Sequence, residues 1–159
     1  MYKRILVPVN GSEEANKALV AALQLARESS GRVRIMHWVE GLTTMAIDQY
    51  GAAWGGDIID TMRKNGEEVL AQALDIAHAA GVETDTELFD TFGSRLAETV
   101  VEAVKHFDAD LVVVGTHGRR GMGRLLLGSG AEQIVRLAPV PVLVVRGASH
   151  GASQSSPPA

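Results

Sequence analysis

Val112-Val-Val-Gly115-Thr-His-Gly118, followed after nine residues by Gly128-Ser129, reads as an apolar strand that runs into a glycine-rich loop and then into the start of a helix. Glycines let a backbone approach a ligand closely. A helix start presents unpaired N–H groups and the positive end of the helix dipole, a setting that suits a phosphate. Strand, glycine loop and helix in this order make a nucleotide phosphate the leading ligand. The competing reading is a tight strand–helix connection with no ligand. Nine residues between Gly118 and Gly128 is long for that, and Arg119, Arg120 and Arg124 add positive charge to the loop. One of these arginines suits phosphate through its planar fork, and the others suit a solvated rim.

Working outward, the same alternation of apolar run and amphipathic segment fills the chain. Ile5 to Val9 reads as a buried strand closed by Asn10-Gly11-Ser12. Ser12 suits an N-cap, and Glu13 and Glu14 suit a first helical turn. Ala15, Ala18, Leu19, Ala22, Leu25 and Ala26 then recur at helical spacing, with Gly31 as the stop. Val33 to Val39 is the second strand. A long connection, 40–56, carries Met45, Ile47, Tyr50 and Trp54 and reads either as a flap over a ligand or as an irregular surface loop. Asp57 to Ala80 is a helix stopped by Gly81, with Ile58, Met62, Val69, Ala73 and Ala77 inward; Gly66 weakens it by roughly 1 kcal/mol relative to Ala. Glu83 to Phe89 is the third strand. Ser94 to Phe107 is a helix, with Leu96, Val100, Ala103, Val104 and Phe107 inward. Leu111 to Val114 is the fourth strand, Ser129 to Leu137 a helix and Val142 to Val145 the fifth strand.

Five apolar strands joined by helices predict an α/β fold: a single doubly wound domain, with a five-stranded parallel sheet and helices on both faces. In such sheets ligands sit beyond the carboxyl ends of the strands, where the strand order reverses. Asn10, Trp38 and Gly115 all lie at such ends. The domain is expected over 1–146, with 147–159 a small, polar, disordered tail.

Composition bounds the function. The chain has 159 residues, 46% apolar and 4% aromatic, so the core rests on Val, Leu, Ile and Ala. Net charge is −4, which argues against a nucleic-acid partner. There is no cysteine, which excludes disulfides and Cys-ligated zinc and fits a reducing compartment. No apolar run reaches the roughly 18 residues that span a bilayer, and Glu13, Glu14 and Lys17 interrupt any signal-peptide core. A cytoplasmic protein without a membrane partner is expected. Neither Gly-Lys-Ser nor Gly-Lys-Thr of a Walker loop is present. Asn10 is not the acidic cluster of a receiver domain, and Asn10-Gly11-Ser12 is too short for a flavodoxin phosphate loop. His37 lies in an apolar strand and reads as a satisfied core residue. His78, His106 and His150 lack metal-ligand spacing.

The chain resembles the universal stress protein family, in its nucleotide-binding branch, from about Met1 to Arg146. Gly115, Gly118, Gly128 and Ser129 meet that branch's spacing: Gly, two residues, Gly, nine residues, Gly-Ser. Gly115-Thr-His-Gly-Arg-Arg-Gly121 and Ala138-Pro-Val-Pro-Val-Leu-Val-Val-Arg146 are similar to the family as well.

The resemblance implies a dimeric, adenine-nucleotide-binding stress-response protein that acts as a sensor or regulator. It places Pro8, Val9 and Asn10 near base and ribose, and gives Trp38 a backbone contact to adenine. Val114, Gly115, His117, Gly118 and Arg119 line the ribose and first phosphate, and Gly128, Ser129 and Gly130 lie at the outer phosphates. It also implies a homodimer through Val142 to Val145, and a protein partner of unknown identity. Two departures stand out: Asn10 replaces the usual Asp, and Ala131 replaces a hydroxyl residue. Both remove contacts that a metal ion would use. The expected cofactor is therefore ATP or AMP, with Mg2+ as an optional companion and no protein metal site. No catalytic residue is expected, because no nucleophile or orienting carboxylate accompanies His117. The alternatives are a slow ATPase or phosphoryl-transfer enzyme at the same site, or a ligand-free dimeric interaction module.

Overall fold

A computed structural model describes residues 1–40, 55–116 and 127–147. Its five strands are β1 (Arg4–Pro8), β2 (Arg32–Trp38), β3 (Thr84–Phe89), β4 (Leu111–Gly115) and β5 (Val142–Val145). Its helices are α1 (Glu13–Ser29), α2 (Gly55–Ala80), α3 (Leu96–Phe107) and α4 (Ser129–Leu137). All strand pairs are parallel, in the order β3-β2-β1-β4-β5. Ile5 faces Val33 on one side and Leu111 on the other, and Val112 faces Val142.

The sheet is apolar on both faces because its strands alternate with period two between two helical layers. Ile5, Val7, Val33, Ile35, Leu111 and Val113 pack with Ala15, Ala18, Leu19 and Ala22 of α1 and with Leu70, Ala73 and Ala77 of α2. Leu6, Met36, Val112 and Val114 pack with Val100, Ala103, Val104 and Phe107 of α3 and with Ile134 of α4. The expected doubly wound architecture is therefore present. No described helix is long and apolar enough to cross a membrane.

Several element ends differ from the sequence expectation, each for a local reason. Ser30, not Gly31, takes the left-handed cap of α1, with φ of 52°. Gly31 is needed for another purpose: a Cβ there would lie 2.8 Å from the Lys3 carbonyl oxygen, where the chain enters β2 beside the start of β1. Within α1, Leu23 occupies the fully buried position and Leu25 is only half-buried. Helix α2 begins at Gly55, ahead of the expected Asp57, and its firmest burial comes from Leu70, Ala73 and Ala77 rather than from Ile58 and Met62.

Helix α3 begins at Leu96, not Ser94. The Ser94 N–H instead bonds the Thr91 carbonyl at 3.3 Å, closing a turn that Gly93 supports with φ of 71°. The connection expected as a flap falls, for residues 41–54, outside the described residues, as does 148–159 of the tail.

The amino edge of the sheet is held by charge. Arg4, Arg32 and Arg34 place their guanidinium carbons 5.1, 5.2 and 4.7 Å from the centre of the buried Phe107 ring. The hydrogen bond from Arg34 to Asp85 raises the guanidinium pKa above its ordinary value, against the opposing effect of burial. Arg34 is thus a fixed cation bridging β2 to Asp85 and Glu87 of β3.

Candidate functional site

Strand β1 lies between β2 and β4; the connection from β1 runs to β2 on one side, and that from β4 runs to β5 on the other. The carboxyl ends of β1 and β4 therefore flank the point where strand order reverses, the usual place for a crevice in an open parallel sheet. Pro8, Val9, Asn10, Trp38, Val114 and Gly115 all come from strand ends at this edge, and Gly128, Ser129 and Gly130 come to it at the start of α4. His117, Gly118 and Arg119 lie outside the described residues.

At the end of β1 the backbone is tightly tied. The Val9 N–H donates to the Met36 carbonyl at 2.8 Å, and the Val9 carbonyl is 2.8 Å from His37 Nδ1. A carbonyl only accepts, so this contact places the proton on Nδ1 of His37. His37 is thus the satisfied residue its apolar strand suggested, and it ties β2 to the residue that follows β1. Asn10 Oδ1 accepts the Ser12 N–H at 3.0 Å, an Asx-type turn that Gly11 completes with φ of 79°. Ser12 then caps α1, accepting the Ala15 N–H at 3.2 Å. The substitution of Asn for Asp at position 10 keeps this acceptor while removing the charge.

At the end of β2, Trp38 packs on the cluster under α3, and its indole Nε1–H donates to Ser94 Oγ at 2.9 Å. Ser94 in turn donates to the Thr91 carbonyl at 2.8 Å. The Val39 N–H bonds the Phe89 carbonyl at 2.9 Å. Sequence reading treated Ser94 as a helix start and so missed this anchor. The Thr91-Phe-Gly-Ser94 turn, with its glycine, was the available signal.

At the end of β4, Gly115 packs against α1. A Cβ there would lie 2.8 Å from the Glu14 carbonyl oxygen and 2.9 Å from its carbon. The first glycine of the motif thus has a packing duty in addition to any ligand duty. Thr116, 8% exposed, donates its N–H to the Val145 carbonyl at 3.1 Å. Its own carbonyl accepts the Gly128 N–H at 2.7 Å. The intervening loop is therefore closed at its base, and Gly128 becomes the N-cap of α4. Glycine has no side chain to cap the first turn, and Ser129 beside it is exposed. The Glu132 carboxylate of that turn lies 3.4 Å from Arg136, which offsets its charge. Among the described residues, no group of three or more His, Asp or Glu could hold a metal ion.

The universal stress protein family model matches residues 1–146. Universal stress protein MJ0531 of Methanocaldococcus jannaschii is 32% identical over 146 residues, covering 92% of this chain and 83% of its own length. Among solved structures, the hypothetical protein MJ0577 has a TM-score of 0.78 at 21% identity, covering 94% of this chain and 99% of that one, a likeness of fold. A universal stress protein in complex with cAMP has a TM-score of 0.63 at 25% identity, covering 91% of this chain and 97% of that one. With the parallel sheet, its reversal point and the closed glycine loop already in place, these matches assign the family: the chain belongs to the universal stress protein family.

Proposed function

We propose that this protein binds an adenine nucleotide, ATP or AMP, at the carboxyl edge of its sheet and acts as a homodimeric stress-response sensor in the cytoplasm. The observation that carries the reading is the closure of the glycine loop: Thr116 and Gly128 meet at 2.7 Å, and Gly128 opens α4 without a capping side chain. N–H groups at such a start suit a phosphate. A related protein of this family has been solved with cAMP, which supports an adenine ligand. In this reading Pro8, Val9 and Asn10 border base and ribose, and the Trp38 backbone meets adenine. Val114, Gly115, His117, Gly118 and Arg119 line the ribose and first phosphate, while Gly128, Ser129 and Gly130 receive the outer phosphates. Binding changes a surface that a partner reads. Mg2+ would be held by the phosphates and water more than by protein carboxylates, given Asn10 and Ala131. The domain over 1–146 and the tail beyond it are part of the same proposal.

The test is calorimetric titration of ligand-stripped protein with ATP and AMP, with and without Mg2+, beside Gly118→Val. Saturable binding that is lost in the variant is expected. No heat with any adenine nucleotide, and no change in melting temperature, would leave a ligand-free interaction module.

A further inference from the structure

The two edges of the sheet differ in chemistry. Edge strand β5 reads Val-Leu-Val-Val and carries no charge. The opposite edge strand, β3, reads Thr-Asp-Thr-Glu-Leu-Phe, with Glu83 just before it. On its inner side β3 is paired along its length with β2: the Val33 N–H bonds the Glu83 carbonyl and the Val39 N–H the Phe89 carbonyl, both at 2.9 Å. Backbone direction alternates along a strand, so the N–H and C=O groups of Thr84, Thr86 and Leu88 point away from β2. No described strand lies on that side. An edge of this kind is a template for a further strand.

The charges on this edge are layered. Asp85 and Glu87 share one side of the sheet with Arg34, which reaches them from β2 at 2.7 and 3.0 Å. Arg32 of β2 is 3.8 Å from Glu83, and His106 of α3 is 3.8 Å from Glu87. The arginines thus stand inboard and the carboxylates outboard: the Glu83 and Asp85 side chains are 78% and 50% exposed, against 22% for Arg34. Charge on an edge strand guards against pairing with the wrong chain. Antiparallel pairing of two β3 strands about Thr86 would set Asp85 opposite the Glu87 of a second copy, and like charges placed so are destabilising. The same carboxylates favour a strand that brings cations, a choice made by repulsion as well as by attraction.

We infer that the outer edge of β3 is a docking site for an extended, basic segment of a partner protein, which adds a strand beside Thr84, Thr86 and Leu88 and sets lysine or arginine side chains against Glu83, Asp85 and Glu87. Main-chain hydrogen bonds hold such a strand, and its alternate side chains select it. Arg34 keeps the acceptors in place, since its two bonds to Asp85 and one to Glu87 fix both carboxylates in the row. The uncharged β5 edge offers no such selection.

The experiment follows the isotope-labelled full chain by NMR at low ionic strength, where exposed charges are least screened. The probes are a blocked Lys-Val-Lys-Val-Lys-Val peptide and its Glu-Val counterpart. Saturable shifts and slowed amide exchange at Thr84, Thr86 and Leu88 are expected with the lysine peptide and not with the glutamate peptide. Thr86→Pro removes an outward N–H without breaking a bond to β2, a change that edge strands tolerate. It should weaken the lysine peptide about fivefold, the scale of one hydrogen bond. Glu83→Lys reverses the most exposed charge of the row and should also weaken it, with the fold unchanged because that side chain is largely in solvent. This second variant decides the matter if Thr86→Pro does not fold. No binding of the lysine peptide, equal binding of both peptides, shifts on β5 in place of β3, or parent affinity in Glu83→Lys or in folded Thr86→Pro each overturns the proposal.

Discussion

At the scale of single residues, the glycine motif joins two physical demands that sequence alone cannot separate. Gly115 reads in the sequence as room for a ligand, and the structure adds the Glu14 backbone as the neighbour that a side chain would strike. Backbone yields less readily than the end of a flexible side chain, so Gly115→Ala should force the first turn of α1 away from β4. The expected cost is about 1–3 kcal/mol, the range for overpacking a close contact, and urea denaturation in the absence of nucleotide measures it. Unchanged stability would return Gly115 to a ligand role alone. His37 carries a similar lesson. Its place in an apolar strand indicated a satisfied core group, and the partner, the Val9 carbonyl just past the end of β1, emerges only once β1 and β2 are paired.

At the scale of elements, helix α2 shows where propensity and packing oppose each other. Gly66 lies in mid-helix, where Ala is favoured by about 1 kcal/mol. A Cβ at that position would stand 2.8 Å from both His37 Cδ2 and Leu88 Cδ1. Gly66→Ala is therefore expected to destabilise, by about 1 kcal/mol net once the propensity gain is set against an overpacking cost. A chemical denaturation midpoint decides the sign, and a rise would show that His37 and Leu88 give way freely. The same contrast explains which elements were legible. Helix α4 and strand β5 match the expected 129–137 and 142–145, because Gly128 and the Pro139-Val-Pro141 stretch punctuate them locally. The start of α3 was not legible, because Ser94 resembles an N-cap in sequence while its hydroxyl is committed to Trp38, 56 residues earlier. The site was readable as a set of strand ends. Its cross-links, Trp38 to Ser94 and Gly115 to Glu14, were not, since each depends on a contact between distant segments.

At the scale of the whole molecule, the edge strand β5 joins the proposed site to the proposed dimer. Leu143 on β5 is 39% exposed, an apolar margin on an unpaired sheet edge. Such edges invite pairing with another chain. The Val145 carbonyl accepts the N–H of Thr116, the residue whose own carbonyl closes the glycine loop. If β5 is the dimer contact, the melting temperature should rise with protein concentration, since association stabilises the folded state by mass action. Leu143→Arg places charge on that margin and should abolish the concentration dependence. ATP at 100 times its dissociation constant should still stabilise by about 2.7 kcal/mol, or about 5–11 °C for a domain of this size. Thermal scans at two protein concentrations, with and without ATP, read both effects together. A parent protein whose melting ignores concentration would remove β5 from the dimer, while loss of the ATP shift in Leu143→Arg would mean that the crevice needs the partner chain to form.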